Sequence, residues 1–418
     1  MGAIYSAAAL TLIASAGNDP NYGLPGVTIE RPSLGAFEHV GATTLMLQPN
    51  AGVDEIYHSS WTSRAWTYQE GYLSRRRLFL TEGQAVYICN DAINHETRIQ
   101  GQDCSRKSPG LLRGSVPSIS MEKSYFDVKE MLKEYTSRRL TFQTDALNAI
   151  VGALNTLEKQ LPPIRHILGV PFSSRRTKYT ARTIFMVHWK HMRACSRRIG
   201  FPSWSPLGWL GPIEFYESNR PCVPANTTIN VGQGGSLHTL DSLLNTGSSA
   251  WRAISRKISH CLDITTKTMQ LALTHITWEY TSSTTTDVSS GLHLILPWKN
   301  SCQVCVHPFW DDERIQSRDL PANKPSLLCA NLVSDDRGAS AGTPFKGNPV
   351  FLVLDRRGDH YERVGIFRLN CNAEPKTPDT ICRDENGRLW ETDTGSVNDS
   401  GEPAPWLRYA KERSFLLG

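Results

Sequence analysis

No apolar run in this 418-residue chain is long enough to span a bilayer, so no membrane span is expected within it. Cysteine is sparse for the length, ten residues in all. Most stand alone beside apolar or aromatic neighbours, as at Cys89, Cys195 and Cys261. That density excludes a disulfide scaffold and predicts reduced, partly buried thiols in a cytoplasmic protein. Charge of one sign is almost missing too: 45 Lys+Arg against 40 Asp+Glu leave a formal charge of +5. This falls short of the basic stripe of a nucleic-acid binder, and no nucleic-acid partner is expected. The short basic clusters Arg75–Arg77, Arg138–Arg139, Arg175–Arg176 and Arg197–Arg198 read as solvated surface. Internal repeats are lacking, and no Ser-His-Asp or Cys-His arrangement stands out.

What remains is an ordinary globular composition, long enough for two or three domains. Residues 3–9 read as the end of a helix. Leu10–Ser15 reads as a buried strand stopped by the turn cluster Gly17–Asn21. A strand is predicted at Thr43–Leu47, a helix over 60–74, and two strands, Leu78–Leu80 and Ala85–Cys89, joined at Glu82-Gly83. Residues 90–118 read as a linker. Helices are predicted over about 121–137 and from Leu147 to Leu161. The second is capped by Thr144 or Asp145 and ended by Pro162-Pro163. A third amphipathic helix is predicted over 179–194, and a flexible connection over 223–250. Strands follow at Met269–Tyr280, Leu292–Trp298, Val350–Leu354 and Val364–Leu369, with polar loops at 281–290 and 334–348. The stretch after Glu374 reads as irregular.

Among candidate sites, Trp66 and Glu70 are four residues apart and would share a helix face. A carboxylate beside an indole is partly desolvated, which raises its pKa and suits it to acid–base work. The plainer reading makes Trp66 core and pairs Glu70 with an arginine or a backbone cap. Cys302-x-x-Cys305 with His307 could begin a zinc site, but Cys329, Cys371 and Cys382 supply no second pair at matching spacing. His188 and His191 flank Trp189 on the predicted third helix without a third ligand. No metal is therefore expected. The run Gly232–Gly235 lacks the strand before it and helix after it that phosphate binding requires. The first residues imitate a signal-peptide core, Ile4 to Ala16, and also an N-myristoylation pattern. Both readings require Met1 to be the true start. With the acceptor triplets at Asn226 and Asn398, they would make the chain a secreted glycoprotein.

The segment RAWTYQEGYLSRRRLF resembles the RxWTxQE…LSxR block of fungal heterokaryon incompatibility (HET) domains. GAIYSAAALTLIASAGNDPNYGLPGV resembles the preceding block, an M-x-x-IY helix leading into a strand and a GLPGV-type loop. LTFQTDALNAIVGALNTLEKQ, HILGVPF and RRIGFPSWSPLGWLG resemble the helical extension that follows such domains, with Pro206 where the family usually has a second Trp. The similarity covers residues 1 to about 215. Upstream LSYxWG and WID-x-x-CINQ blocks have no counterpart, so the chain is expected to hold a truncated domain.

The resemblance implies an α/β fold, a partial TIR-like HET domain, followed by a helical region and a β-rich C-terminal region. The corresponding domains are 1–100, the C-terminal half of the HET domain; 119–215, a helical extension ending in the PSWS-type block; and 251–418. It implies a role in allorecognition and programmed cell death, acting through protein partners or self-association. Tyr5, Arg64, Trp66, Gln69, Leu73, Ser74, Trp204 and Trp209 are then motif residues of structural weight. HET domains are distantly similar to TIR domains, several of which cleave NAD with a glutamate in a Trp-x-x-x-Glu helix. By that analogy Glu70 is a candidate catalytic residue of an NAD glycohydrolase, with NAD as substrate and no cofactor. The missing half would supply the other pocket walls, so catalysis is not expected of the chain as it stands.

Overall fold

Turn residues cut the N-terminal third of the chain into short apolar pieces, and these become strands of one small sheet. The computed structural model describes residues 2–31, 37–46, 51–89, 92–96, 125–176, 181–216, 221–281, 286–297, 303–306, 308–316, 326–335, 349–369, 381–384, 389–392 and 409–418. It divides into two compact units, Met1–Leu161 and Pro162–Gly418.

In the first unit, helix α1 (Gly2–Ala7) leads into strand β1 (Thr11–Ala14). A hairpin of β2 (Phe37–Val40) and β3 (Thr43–Met46) follows. Helices α2 (Ala51–His58), α3 (Ser60–Ser63) and α4 (Thr67–Leu73) come next. Strands β4 (Arg76–Leu80), β5 (Ala85–Cys89) and β6 (Ile93–His95) complete a four-stranded sheet in the order β1-β4-β5-β6. β1 runs parallel to β4, with Ile13 opposite Phe79, and the other pairs are antiparallel. Parallel neighbours need a crossover of a dozen or more residues, here the α2–α4 segment. Ile13, Phe79, Val86, Ile88 and Ile93 form a core with Ile56 and Trp61.

Two expectations change in this unit. β1 was expected to be buried; it is an edge strand buried on one face only, with Leu12 66% exposed. The single helix over 60–74 is split at Arg64–Trp66. Ala65 donates its N–H to Arg139 (2.9 Å) and Arg139 donates to Ser63 (2.7 Å), so backbone pairing replaces a helical turn. Helix α5 (Tyr125–Thr136) and helix α6 (Asn148–Leu157) occupy the two predicted positions. A 3-10 turn over Gln143–Ala146 precedes α6, whose N-cap is Leu147; neither Thr144 nor Asp145 caps it. Leu161, expected on the helix, is exposed beyond it.

The second unit is built on strands. β7 (Arg165–Ile167), β8 (Val170–Arg176) and β9 (Ala181–Phe185) form one antiparallel sheet. The helix predicted over 179–194 is therefore corrected. Its described part is β9 and β10 (Trp189–Lys190), the latter paired with β11 (Glu214–Phe215). Alternating Thr183 and Phe185 suit a pleated strand, and the pairing with β8 decides the ambiguity.

β12 (Pro221–Cys222) enters a thirteen-stranded sheet. The flexible connection expected at 223–250 is also corrected. It holds the hairpin β13 (Thr228–Gln233) and β14 (Ser236–Thr239), then α7 (Leu240–Asn245) and α8 (Ser248–Ser255). Gly234 and Gly235 sit at φ 53° and 89°, the left-handed pair that a two-residue hairpin turn demands. The glycine run is a turn.

The 24-residue β15 (Ile258–Thr281) is the spine of the large sheet. It pairs with β13, with β16 (Thr286–Pro297), and with three later strands, β19 (Ser326–Asp335), β22 (Ile381–Asp384) and β24 (Lys411–Leu417). β17 (Gln303–Val306), β18 (Phe309–Trp310), helix α9 (Glu313–Gln316), β20 (Val350–Arg357), β21 (His360–Arg368) and β23 (Leu389–Thr392) complete the unit. The expected irregular end thus contributes β24, whose Leu417 sits opposite Leu262 with neither side chain exposed. The β-rich C-terminal region stands as expected. The linker expected over 90–118 is corrected where it is described, since Ile93–His95 form β6. So is the loop expected at 281–290, where β16 begins at Thr286 and pairs with β15. Residues 97–118, most of the loop at 334–348, and Asn398 lie outside the described residues.

Candidate functional site

Glu70 sits in the first turn of α4, where a carboxylate also meets the favourable end of the helix dipole. Its indole neighbour is Trp61, whose Nε1 donates to Glu70 Oε2 at 3.0 Å. The break at Arg64–Trp66 makes this possible: nine residues on an unbroken helix would put Trp61 on the far face. Tyr5 on α1 gives its hydroxyl to the same carboxylate. Burial, and then the Glu70 charge and bond, raise the Tyr5 pKa. Glu70 therefore accepts from α1 and α3 while standing on α4.

Trp66 points to a different partner. It is the N-cap residue of α4, half-buried, and its Nε1 donates to Asp145 Oδ2 at 3.2 Å. The indole that donates to Glu70 is thus that of Trp61, while that of Trp66 donates to Asp145. Arg64 is exposed, and its carbonyl accepts from Arg138. Gln69 is buried and staples α4 to α6. Its Nε2 donates to the Asn148 carbonyl (2.7 Å) and its Oε1 accepts from Gly152 N–H (3.0 Å). Leu73 is buried, and Ser74 shares a 2.7 Å hydroxyl bond with Thr11 on β1.

Two arginines expected at the surface are buried instead. Arg77 donates to the Gly71 carbonyl, and burial pushes its pKa down to about 10. Arg138 is ion-paired with Glu134 and stacked over Tyr68, 4.8 Å from the ring centre. Each guanidinium meets carbonyls, a carboxylate or a ring face, which is what a buried cation requires.

Trp204 and Trp209 belong to the second unit and are fully buried. Trp204 donates to the His260 carbonyl (3.0 Å) and Trp209 to the Ser203 carbonyl (2.9 Å). Pro206 opens the 3-10 turn over Pro206–Gly208, which Ser205 caps. Nearby, the fully buried Arg363 pairs with Asp311 (2.7 Å). It also donates to the carbonyls of Val187 and Trp189, with its guanidinium 3.4 Å from the Trp189 ring centre. Nothing in the sequence singled out this pair, because 52 positions separate its members.

His188 and His191 are buried beside these groups in the loop residues flanking β10. His191 Nδ1 lies 2.9 Å from the Pro212 carbonyl, and burial depresses its pKa. Among the described residues no group of three or more His, Cys, Asp or Glu is placed to hold a metal ion. Cys302 and His307 lie outside the described residues. Cys89, Cys195, Cys222, Cys261 and Cys329 are free thiols. No described helix is long and apolar enough to cross a membrane.

Glu70, the centre of the α1–α3–α4 contacts, is also the last residue of a family match. Residues 1–70 match the family described as Heterokaryon incompatibility protein (HET). That match supports a role in heterokaryon incompatibility in general. No curated protein and no solved structure matches the chain.

Proposed function

We propose, from the HET-family segment at residues 1–70, that the protein acts in allorecognition and programmed cell death through self-association of that segment. The family match carries the reading. The character of β1 supports self-association as the route. β1 ends the four-stranded sheet, and Ile4, Leu10 and Leu12 around it are 66%, 44% and 66% exposed. Edge strands are normally guarded by Lys, Pro or a bulge, yet no charged side chain occurs before Asp19. Two copies can therefore align this strand without setting like charges against each other, the usual obstacle to self-pairing at an edge.

The test is sedimentation velocity on the full chain and on Leu12→Lys. The reading expects a concentration-dependent dimer that the lysine abolishes, with the monomer still folded. A chain that stays monomeric at all concentrations, or pairs only with another protein, overturns self-association.

A second reading, NAD cleavage by Glu70, draws on the carboxylate lying half-buried against an indole. Two donors already engage that carboxylate, which favours an anchoring role. NAD levels in cells expressing the chain and its Glu70→Gln variant separate the two. A fall in NAD that the variant abolishes would establish the enzyme.

A further inference from the structure

The second unit carries a basic surface on α8 and the turn after it. Trp251 fixes the helix: its ring is buried, meets Phe172 edge to face at 5.5 Å, and lies 5.2 Å from the Arg165 guanidinium. Helical spacing then puts Ile254 and Ser255 beside Trp251 and gathers Ser249, Arg252, Ala253 and Arg256 in a stripe on the opposite side. That stripe is exposed throughout, as is Lys257, whereas Ile254 and Ser255 are half-buried. Among the described residues no hydrogen bond or ion pair engages the side chains of Arg252, Arg256 or Lys257. From Pro221 to Leu262 every residue is described and the sequence holds one carboxylate, Asp241, which accepts from Thr183. Asp263 follows on β15. Asp359, near enough for its charge to act on the Cys261 thiol, is engaged by His360 at 3.0 Å.

An apolar side chain stands next to these cations. β13 pairs with β15 so that Gln233 faces Ile258, which sets the Gly234-Gly235 hairpin tip beside the turn at Arg256 and Lys257. A Cβ placed on Gly232 would lie 3.4 Å from Ser259 Cβ and 4.0 Å from Leu237 Cδ2. Leu237 therefore shares a face with Ser259, two residues beyond Lys257. Ser259 is exposed, and Leu237 is 61% exposed. Cations beside an exposed leucine complement the surface of an anionic bilayer: the headgroups meet the charges and the acyl boundary takes the leucine. A nucleic-acid strand fits less well, because single strands stack on exposed aromatics and the indole of α8 is turned inward.

We propose that this surface docks the protein on anionic phospholipid bilayers, with Arg252, Arg256 and Lys257 against the headgroups and Leu237 in the interface. The surface belongs to the second unit and does not rest on the function proposed for the HET-family segment.

The test is co-sedimentation of the full chain with phosphatidylserine/phosphatidylcholine vesicles and with phosphatidylcholine vesicles alone. Binding to the anionic vesicles is expected, at least roughly tenfold tighter than to the neutral ones. Each cation near the surface is worth about fivefold, so Arg252→Gln/Arg256→Gln/Lys257→Gln should weaken binding about a hundredfold. Ala253→Lys adds a cation to the same stripe and should tighten it about fivefold, a gain that a misfolded variant cannot imitate. Leu237→Ser should weaken it severalfold. The proposal is overturned if the anionic vesicles do not bind, if neutral vesicles bind equally well, or if the triple variant and Ala253→Lys both leave the affinity unchanged. Binding of single-stranded RNA or an acidic peptide in place of vesicles would overturn it as well.

Discussion

Arg363→Met is the most demanding test of how the second unit is held together. The arginine and its partner Asp311 are both fully buried, with the guanidinium 2.7 Å from the carboxylate. The same guanidinium satisfies the carbonyls of Val187 and Trp189. It thereby joins β21 to the segment around β10, where no described ladder pairs the two. Methionine keeps most of the volume but leaves Asp311 as an uncompensated buried charge and two carbonyls without that donor. Removing one partner of a buried pair costs about 3–5 kcal/mol. With a denaturant slope of roughly 3 kcal/mol/M, the urea midpoint should fall by roughly 1–2 M. Urea unfolding followed by tryptophan fluorescence suits the assay, since Trp189, Trp204 and Trp209 are all buried in this unit. The double variant Arg363→Met/Asp311→Leu should lose clearly less than the sum of the single changes, because it leaves no orphan charge. A midpoint for Arg363→Met equal to that of the wild type would refute the reasoning. So would strict additivity in the double variant.

Gly152→Ala should destabilise the first unit by about 1–3 kcal/mol, although the same change in an exposed helix gains about 1 kcal/mol. The added Cβ would overlap Gln69 Oε1, and Gln69 cannot swing away without losing its bonds to α6. Chemical unfolding of the single variant against Gly152→Ala/Gln69→Ala checks this, with recovery expected in the double. The second unit should weaken in acid. Burial pushes His166 from 6.5 down to about 4, and His191 is shifted the same way. Between these values only the unfolded chain takes up the proton. Stability is therefore constant above about pH 6.5 and is lost as pH falls toward about 4. Urea midpoints at about pH 7 and about pH 4.5 should differ for the wild type and differ less for His166→Gln; equal losses would remove His166 from the account.

Much of this architecture could be read from local patterns. The hairpin of β4 and β5 follows from two apolar runs around Glu82-Gly83, and α6 from leucine and isoleucine at helical spacing. Where apolar residues fit both periods, the sequence pointed the wrong way. Residues 179–194 satisfy a helical pattern, yet their described part pairs as strands with β8 and β11, a tertiary choice that spacing does not encode. β24 was hidden because its burial pattern is polar until Phe415 and Leu417, and β15 supplies its partner. At the candidate site, Trp66 was legible as a motif residue, but its partner was not. The break at Arg64–Trp66 arises from bonds to Arg139, far along the chain, and it substitutes Trp61 for Trp66 beside Glu70. The buried Arg77 and Arg138 were misread for a related reason: their compensation comes from a backbone carbonyl and from ring faces that a charge pattern does not display.

The central claim, that the HET-family segment acts in incompatibility by associating with itself, is tested most directly in fused cells. Hyphae expressing the full chain would be fused with hyphae lacking it, and viability of the fusion cells scored beside fusions using Leu12→Lys. The account predicts death with the wild-type chain and survival with the variant at equal protein level. Survival of the wild-type fusions, or equal death with Leu12→Lys, would contradict it.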